Sequence, residues 1–421
     1  MNQPNISQKH NTRQEILNHH KNLRSSGLLS KQDNAFILID FAILHNRLNC
    51  VSTAFGHTFK HSVAVKSNPL TKVLKSIASK GFGFECASFE EVLQAERVNQ
   101  NQLIIWDSPA KTKLELESSK KIANLMVNAN DLFELNKIIS IDHKAIIGLR
   151  INPLSSGTKI TSMNVSSEYS KFGEPISSRN QILDALSNAP SNVCAVHVHL
   201  SSQNVNFDLQ VDAIRRVLNL ALEVNGAAPN KIRYFNIGGG FPVSYNQNVE
   251  YSIFEYSEKL KIACPELFDG QFETITEFGR YYHAHSGVAF SKIEHVKHFD
   301  QHQTIINHLG ADFFLRECYN PGQWSHEFSV LRNDSFLENE LTKTDIGGPL
   351  CFGGDYISKN TLLPKVLPDD TLVIADVGAN TFSLWSRHCS RPFPKILGFE
   401  NEVYFIVKEK ETAETVLQFW D

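Results

Sequence analysis

Eight apolar or β-branched runs, most of them separated by helical patterns, constrain this chain more than any other feature. They are Ser62–Ser67, Phe82–Ser88, Leu103–Ser108, Ala123–Asn128, Ala145–Ile151, Val193–Leu200, Tyr234–Gly239 and Thr274–Arg280. Strands joined by helical crossovers lie parallel, and eight of them are what a (β/α)8 barrel requires; an open doubly wound sheet is the runner-up. One crossover helix is expected to open at Ser88 with Glu91 three residues on, a capping box. Another runs from about Phe207 to Val224, with Val211, Ile214, Val217, Leu218 and Ala221 on one face. Beyond about Val288 the segments Phe290–Val296, Thr371–Ala375 and Val403–Val407 lack long helices between them, so a mostly β second domain follows. The expected divisions are an N-terminal arm over 1–35 joining the β domain, a barrel over 36–285 and a C-terminal β domain over 286–421.

A chain of 421 residues, 42% hydrophobic and 20% charged, is an ordinary globular protein with room for two cores. Its net charge of −4 and scattered Lys and Arg exclude the basic stripe that nucleic acid binding needs. No apolar run reaches membrane-spanning length, and residues 1–35 lack a signal-peptide core. The seven cysteines are odd in number and form no C-x-x-C pair, which predicts reduced thiols in a cytoplasmic protein.

The first run delivers one lysine. Alternation along Ser62–Ser67 puts Val63 and Val65 on one face and Ala64 and Lys66 on the other; Asn68 then reads as an N-cap and Pro69 as the first helical residue. A lysine at the C-terminal mouth of a barrel strand stands where such folds place chemistry, and its amine can form a Schiff base; the plain reading is a solvated strand end. In the sixth run His197 and His199 share a face, but no carboxylate or third histidine follows at metal-ligand spacing. A histidine at the mouth can pack flat on an aromatic ligand, and His197 also reads as a hydrogen-bonded core residue. The seventh run ends in Gly238-Gly239-Gly240, whose N–H groups can turn towards an anion, and the eighth in Glu277-Phe278-Gly279-Arg280. Loops after strands seven and eight are a common phosphate site in barrels. A lysine for an imine, donors for a phosphate and a nearby carboxylate together describe a site for pyridoxal 5′-phosphate.

From about Phe36 to Val407 the chain resembles the fold-type III pyridoxal phosphate decarboxylases, the ornithine and diaminopimelate decarboxylase family. The motifs are Ala64-Val65-Lys66-Ser67-Asn68-Pro69, Phe84-Glu85-Cys86-Ala87-Ser88 with Glu91, His199 with Ser202, Gly238-Gly239-Gly240, Glu277-x-Gly279-Arg280, Gly348-Pro349-Leu350-Cys351 with Asp355, and Gly378-Ala379. The resemblance implies an alanine racemase-like barrel with a second β domain. It implies that Lys66 holds the cofactor, His199 stacks on its ring and Glu277 pairs with the ring nitrogen. Ser202, the three glycines, Gly279 and Arg280 would hold the phosphate, and Glu85 and Arg150 would support lysine and cofactor from the barrel wall. It further implies a homodimer with shared active sites, in which Cys351 reaches across as the acid that reprotonates carbon. Cys351, Phe352, Asp355 and Arg316 would then meet an amino-acid substrate.

This chain also departs from the family. Phe278 replaces a proline, Ser201 replaces a glycine, and Asn380 stands where a phosphate-binding tyrosine is usual. Phe352 occupies the place of an acidic residue that reads a distal amine, which disfavours ornithine, lysine and diaminopimelate as substrates. The tail Ser386-Arg387-His388-Cys389-Ser390-Arg391-Pro392 and Arg316 resemble the diaminopimelate branch. Decarboxylation is the expected reaction, because racemases of this fold carry an arginine where Glu277 stands. The alternatives are an amino-acid racemase and a catalytically inert regulatory relative.

Overall fold

The parallel pairings run from strand to strand without a gap until the sheet meets itself. In the computed structural model, which describes residues 11–155, 165–245, 251–338 and 340–421, the eight barrel strands are Phe59–Ala64, Gly83–Cys86, Ile104–Trp106, Leu125–Ala129, Ile146–Asn152, Val193–Val198, Tyr234–Asn236 and Glu273–Thr276. The last pairs with the first (Thr274 opposite Phe59), which closes the (β/α)8 barrel. A two-residue strand, Glu174–Pro175, is appended to the end of the fifth. Ile105, Met126, Ala195 and Ile275 form one packed cluster of the core. Gly148 lets the fifth strand lie against Asn128 and Ala195, because a Cβ there would overlap the Asn128 side chain.

The helices start where side chains can cap them. Ser88 Oγ accepts from the Glu91 N–H at 3.2 Å, while the Glu91 carboxylate reaches one residue further back, to the Ala87 N–H at 2.7 Å. Asp131 caps Leu132–Ser140, and Asn206 caps Phe207–Ala227, whose inner face carries the predicted apolar residues. The first barrel strand differs from its prediction at both ends. It stops at Ala64, and Lys66 sits in a 3-10 turn, Val65–Ser67, closed by the Ser67 hydroxyl on the Ala64 carbonyl at 2.6 Å. Asn68 is not a helix cap: the proline behind it holds it extended (φ −158°), and the helix begins only at Thr71.

The β unit has a boundary that the sequence reading misplaced. Contacts divide the chain into one unit made of the described residues up to Arg47, Ser244, Tyr245 and everything from Tyr282, and another made of the rest. Ala35–Asp40 therefore belongs outside the barrel. It runs antiparallel to Gly287–His298, with Phe36 opposite Phe290, and parallel to Lys395–Glu400, with Phe36 opposite Lys395. The segment read as a polar arm carries a helix, Arg13–Ser25, whose Ile16 and Leu23 pack on Phe36, Leu38, Phe290 and Leu397. The arm joins the β unit as expected, but the cut falls after Arg47 and not after residue 35, because the strand Ala35–Asp40 pairs within that unit's sheet. No helix among the described residues is long and apolar enough to cross a membrane.

The residue that replaces the family's proline is part of the barrel unit's core. Phe278 is buried, with ring centroids 5.9 Å from Phe55, 6.0 Å from Phe241 and 6.4 Å from Tyr256. Truncation would empty the middle of this cluster. Phe278→Ala should therefore cost about 3–5 kcal/mol of stability, read as a lowered urea midpoint with an unchanged slope.

Candidate active site

Charged side chains converge at the C-terminal ends of the barrel strands. Lys66 Nζ lies 2.8 Å from both oxygens of Glu85, which is buried at the end of the second strand. The lysine has 54% of its side chain open to solvent although protein atoms crowd around its amine. Burial works against its charge, but Glu85, Asp107 and Glu277 outweigh it and raise the ammonium above its ordinary value. Glu85 is pushed up to about 7, by burial first and then by Glu277 and Asp107, against the attraction of Lys66.

A second chain of charges crosses the same mouth. Asp107, just after the third strand, accepts from Arg150 Nη1 at 2.7 Å, and its other oxygen lies 3.6 Å from His197 Nδ1. The opposite ring nitrogen, Nε2, is 3.2 Å from a Glu277 oxygen. The remaining Glu277 oxygen accepts from Asn236 Nδ2 at 2.5 Å. Burial alone would raise Asp107, yet Arg150 and His197 hold it well below the usual carboxylate range. Burial would lower His197, but Glu277 and Asp107 bring it up to about 9, so it is an imidazolium at neutral pH. Asp107 and Asn236 did not stand out in the sequence, since a lone Asp or Asn at a strand end carries no periodic or spacing signal. Neighbouring Lys111 is buried too, and is satisfied by the carbonyls of Ser108 and Asn128 and by Glu134 at 2.6, 2.7 and 2.9 Å.

His199 stands just beyond the sixth strand, and its Nδ1 accepts from the Gly239 N–H at 3.1 Å. Burial and the cations Arg150 and Lys66 keep it well below its ordinary value, so the ring is neutral. The glycine loop differs from its sequence reading. Two of its N–H groups are committed inside the protein, Gly238 to Asn236 Oδ1 at 2.9 Å and Gly239 to His199. Gly240 (φ +93°) keeps an N–H without a partner among the described residues, as do Gly279 and Ser202. A side chain on Gly238 would overlap the Val198 carbonyl, one on Gly239 that of Glu277, and one on Gly240 that of Ser201. Gly279 lies so close to the lysine's turn that its Cβ would come within 2.9 Å of Ala64 and Ser67, and Arg280 follows it, buried.

The other expected residues are carried by the β unit. Cys351 is exposed, and Phe352 stacks on Tyr319 with ring centroids 5.1 Å apart. The Arg316 guanidinium lies 5.3 Å over the Trp324 ring. Asn380 holds a left-handed turn (φ +55°). Asp355, expected at the substrate, is buried, and its two oxygens accept from the Ala311 N–H at 2.5 Å and the Leu350 N–H at 2.6 Å. Gly310 and Gly348 leave room for that carboxylate, so its geometry is that of a brace between two loops.

With this geometry in place, the comparisons are specific. Residues 42–284 match the family described as "Pyridoxal-dependent decarboxylase, pyridoxal binding domain". The chain belongs to the pyridoxal-dependent decarboxylases. It is 26% identical to a diaminopimelate decarboxylase of Helicobacter pylori over 90% of this chain and 93% of that one. An L-glutamyl-[BtrI acyl-carrier protein] decarboxylase of Niallia circulans is 23% identical over 93% and 95%. The crystal structure of a Helicobacter pylori diaminopimelate decarboxylase complexed with L-lysine superposes with a TM-score of 0.83 at 25% identity, covering 94% of this chain and 99% of that one. The protein is thus a pyridoxal phosphate-dependent amino-acid decarboxylase with the barrel-plus-β-domain fold of these structural neighbours. Its residues fit the cofactor: an amine on a turn, an ordered carboxylate, a neutral aromatic ring, and N–H donors left uncommitted in a glycine cradle.

If Glu85 is what keeps the Lys66 amine charged, removing its charge should free the amine. In Glu85→Gln the pH midpoint for acylation of Lys66 should fall by about one unit or more, read by mass spectrometry of the labelled peptide.

Proposed function

We propose that this decarboxylase acts on an amino acid whose distal end is neutral, acidic or conjugated, using Lys66, Glu85, His199 and Glu277 of one subunit with Cys351 of a second copy. The observation that carries the reading is the Lys66–Glu85 pair beside a Glu277 with one oxygen held by Asn236 and the other 3.2 Å from the His197 ring. When bound, pyridoxal phosphate supplies a conjugated electron sink for the pair released as carbon dioxide leaves. Lys66 must first lose a proton from Nζ, and Glu85, 2.8 Å away, is the carboxylate that keeps that proton on the amine until their pairing is given up. Glu277 holds a proton at the ring nitrogen, which keeps the ring electron-poor. His199, neutral and pinned through Nδ1, offers a flat face against the ring. Ser202, Gly240, Gly279 and Arg280 would hold the phosphate; Arg150 works through Asp107.

Cys351 supplies the proton to the carbon, acting from the β unit of the partner in a homodimer. Its exposure supports this role, since a thiol that serves another subunit must lie at the surface. The seven free thiols support a reducing compartment, the cytoplasm. Mixing Lys66→Ala with Cys351→Ala subunits should restore decarboxylation, because each heterodimer regains one intact site. No recovery in mixtures that demonstrably exchange subunits would refute the shared site.

Phe352 decides the substrate class. Stacked on Tyr319, it offers no charge to a distal ammonium, and a buried unpaired ammonium costs several kcal/mol, in the range of about 2–5. Arg316 is the cation placed to meet a substrate carboxylate. The relative named for a glutamyl group on a carrier protein is one in which a conjugated substrate is already named. Carbon dioxide release from an amino-acid panel tests this reading: lysine, ornithine and diaminopimelate should be poor substrates. Phe352→Asp and Phe352→Glu should raise turnover of these three relative to the native substrate. Efficient use of any of them by the unmodified protein would overturn the assignment.

A further inference from the structure

We propose that Asp107 and His197 are positioning residues for Glu277: Arg150 anchors Asp107, Asp107 fixes the His197 ring, and that ring together with Asn236 fixes both Glu277 oxygens. The proposal rests on the reading of Glu277 as the partner of the cofactor's ring nitrogen.

The geometry is a relay across five strand ends. Arg150 closes the fifth strand, Asp107 follows the third, His197 lies in the sixth, Asn236 ends the seventh and Glu277 follows the eighth. The successive separations are 2.7 Å from Arg150 to Asp107, 3.6 Å from Asp107 to His197 and 3.2 Å from His197 to Glu277, with Asn236 at 2.5 Å on the far oxygen. His197 is fully buried, so no water competes for either ring nitrogen. A core histidine kept for packing would be neutral and would donate through one nitrogen. This ring instead places both nitrogens within ion-pair reach of carboxylates that follow two different strands, Glu277 at 3.2 Å and Asp107 at 3.6 Å, without an aligned hydrogen bond to either among the described residues, a setting that favours the imidazolium.

The charges around it explain why each member is needed. Burial opposes the imidazolium, and Glu277 and Asp107 outweigh it; Arg150 and Lys111 act on Asp107, and Glu85 adds a third carboxylate nearby. Without His197 a buried Glu277 would face Asp107 and Glu85 with Asn236 as its sole fixed donor in this network. The oxygen that faces His197 would then lose its ion-pair partner, and misplacement of a reacting group by about 1 Å can cost on the order of 100-fold in rate. Asp107 acts one step further out: as a charge it holds the imidazolium, and as a shape it orients the ring.

The test uses nuclear magnetic resonance on the full-length protein, first without cofactor and then loaded with pyridoxal 5′-phosphate carrying ¹⁵N at the ring nitrogen. In the cofactor-free protein the His197 imidazole, identified by its loss in His197→Gln, should remain doubly protonated at pH 7 and titrate at about 9. The sign follows from the raised affinity: the charge is present below that pH and is lost above it. Asp107→Asn should lower the midpoint by about one unit or more, and Asp107→Glu should restore most of it. In the loaded protein, His197→Gln and Asp107→Asn should move the ring-nitrogen signal towards its unprotonated position, as Glu277→Gln does, while circular dichroism confirms the fold. A structural role alone would lower the melting temperature and leave both nitrogen signals where they were, and that result overturns the proposal. If neither His197→Gln nor Asp107→Asn moves the ring-nitrogen signal but Glu277→Gln does, the relay falls while the reading of Glu277 stands. If Glu277→Gln leaves the signal unchanged, that reading falls and the relay with it.

Discussion

Three carboxylates buried in one barrel mouth set the terms for every other side chain there. Glu85, Asp107 and Glu277 come from the ends of the second, third and eighth strands, and like charges in so small a space cannot all ionise unless each is countered. The chain supplies three cations, Lys66, Arg150 and His197. Arg150 is committed to Asp107 with short, buried geometry, and His197 is shared between Asp107 and Glu277. Glu85 has only the half-exposed Lys66. It is consequently the least enclosed of the three pairs, with the proton kept on the lysine by the carboxylates around it. Burial first, and then Arg150 and Lys66, keep His199 neutral, so a flat uncharged ring stands in the same barrel mouth. Deleting any one member would strand its partner, at a cost of about 3–5 kcal/mol for a buried pair.

Much of this could be read in the sequence because its signals are local. Strand and helix periodicities, a lysine at a strand end, glycines after the seventh run and a Glu-x-Gly-Arg after the eighth need no knowledge of distant contacts. What could not be read depends on partners far along the chain. Ala35–Asp40 is plainly a strand, but its neighbours begin some 250 residues later, so nothing nearby says which sheet it joins. The strand before Lys66 starts three residues earlier than its apolar run, because pairing with the eighth strand begins at Phe59. It stops at Ala64, where Phe278 and Gly279 close in. Asp107 and Asn236 are ordinary residues until the barrel closes around them.

The departures from the family pattern have physical accounts in this chain. Phe278 fills an aromatic cluster where a proline would leave a void, so the backbone there is held by packing instead of by a ring-locked φ. Ser201 lies outside the left-handed region, so a Cβ is tolerated. The left-handed residue of that loop is Gln203 (φ +56°), whose side-chain amide is bonded to both the N–H and the carbonyl of Val243. Asn380 also occupies the left-handed region, which a short amide tolerates better than most side chains.

These accounts divide the work between the two units by chemistry. In the barrel unit nearly every charge is answered by another within a few ångströms, which leaves it little freedom to read a new substrate without disturbing the cofactor's own partners. The residues expected at the substrate lie in the β unit, and there Asp355 is spent on bracing Ala311 and Leu350. Arg387 is likewise tied to Glu411 through two nitrogens at 2.8 and 2.9 Å. On the proposed reading, discrimination among amino acids falls to the Phe352–Tyr319 stack and to Arg316 over Trp324, an apolar surface and a cation. Such a pair rewards a substrate whose far end is flat, neutral or anionic and penalises one that ends in a free ammonium. The proposed change of specificity therefore needs only a single aromatic residue in place of an acid and leaves the charge balance of the barrel mouth untouched.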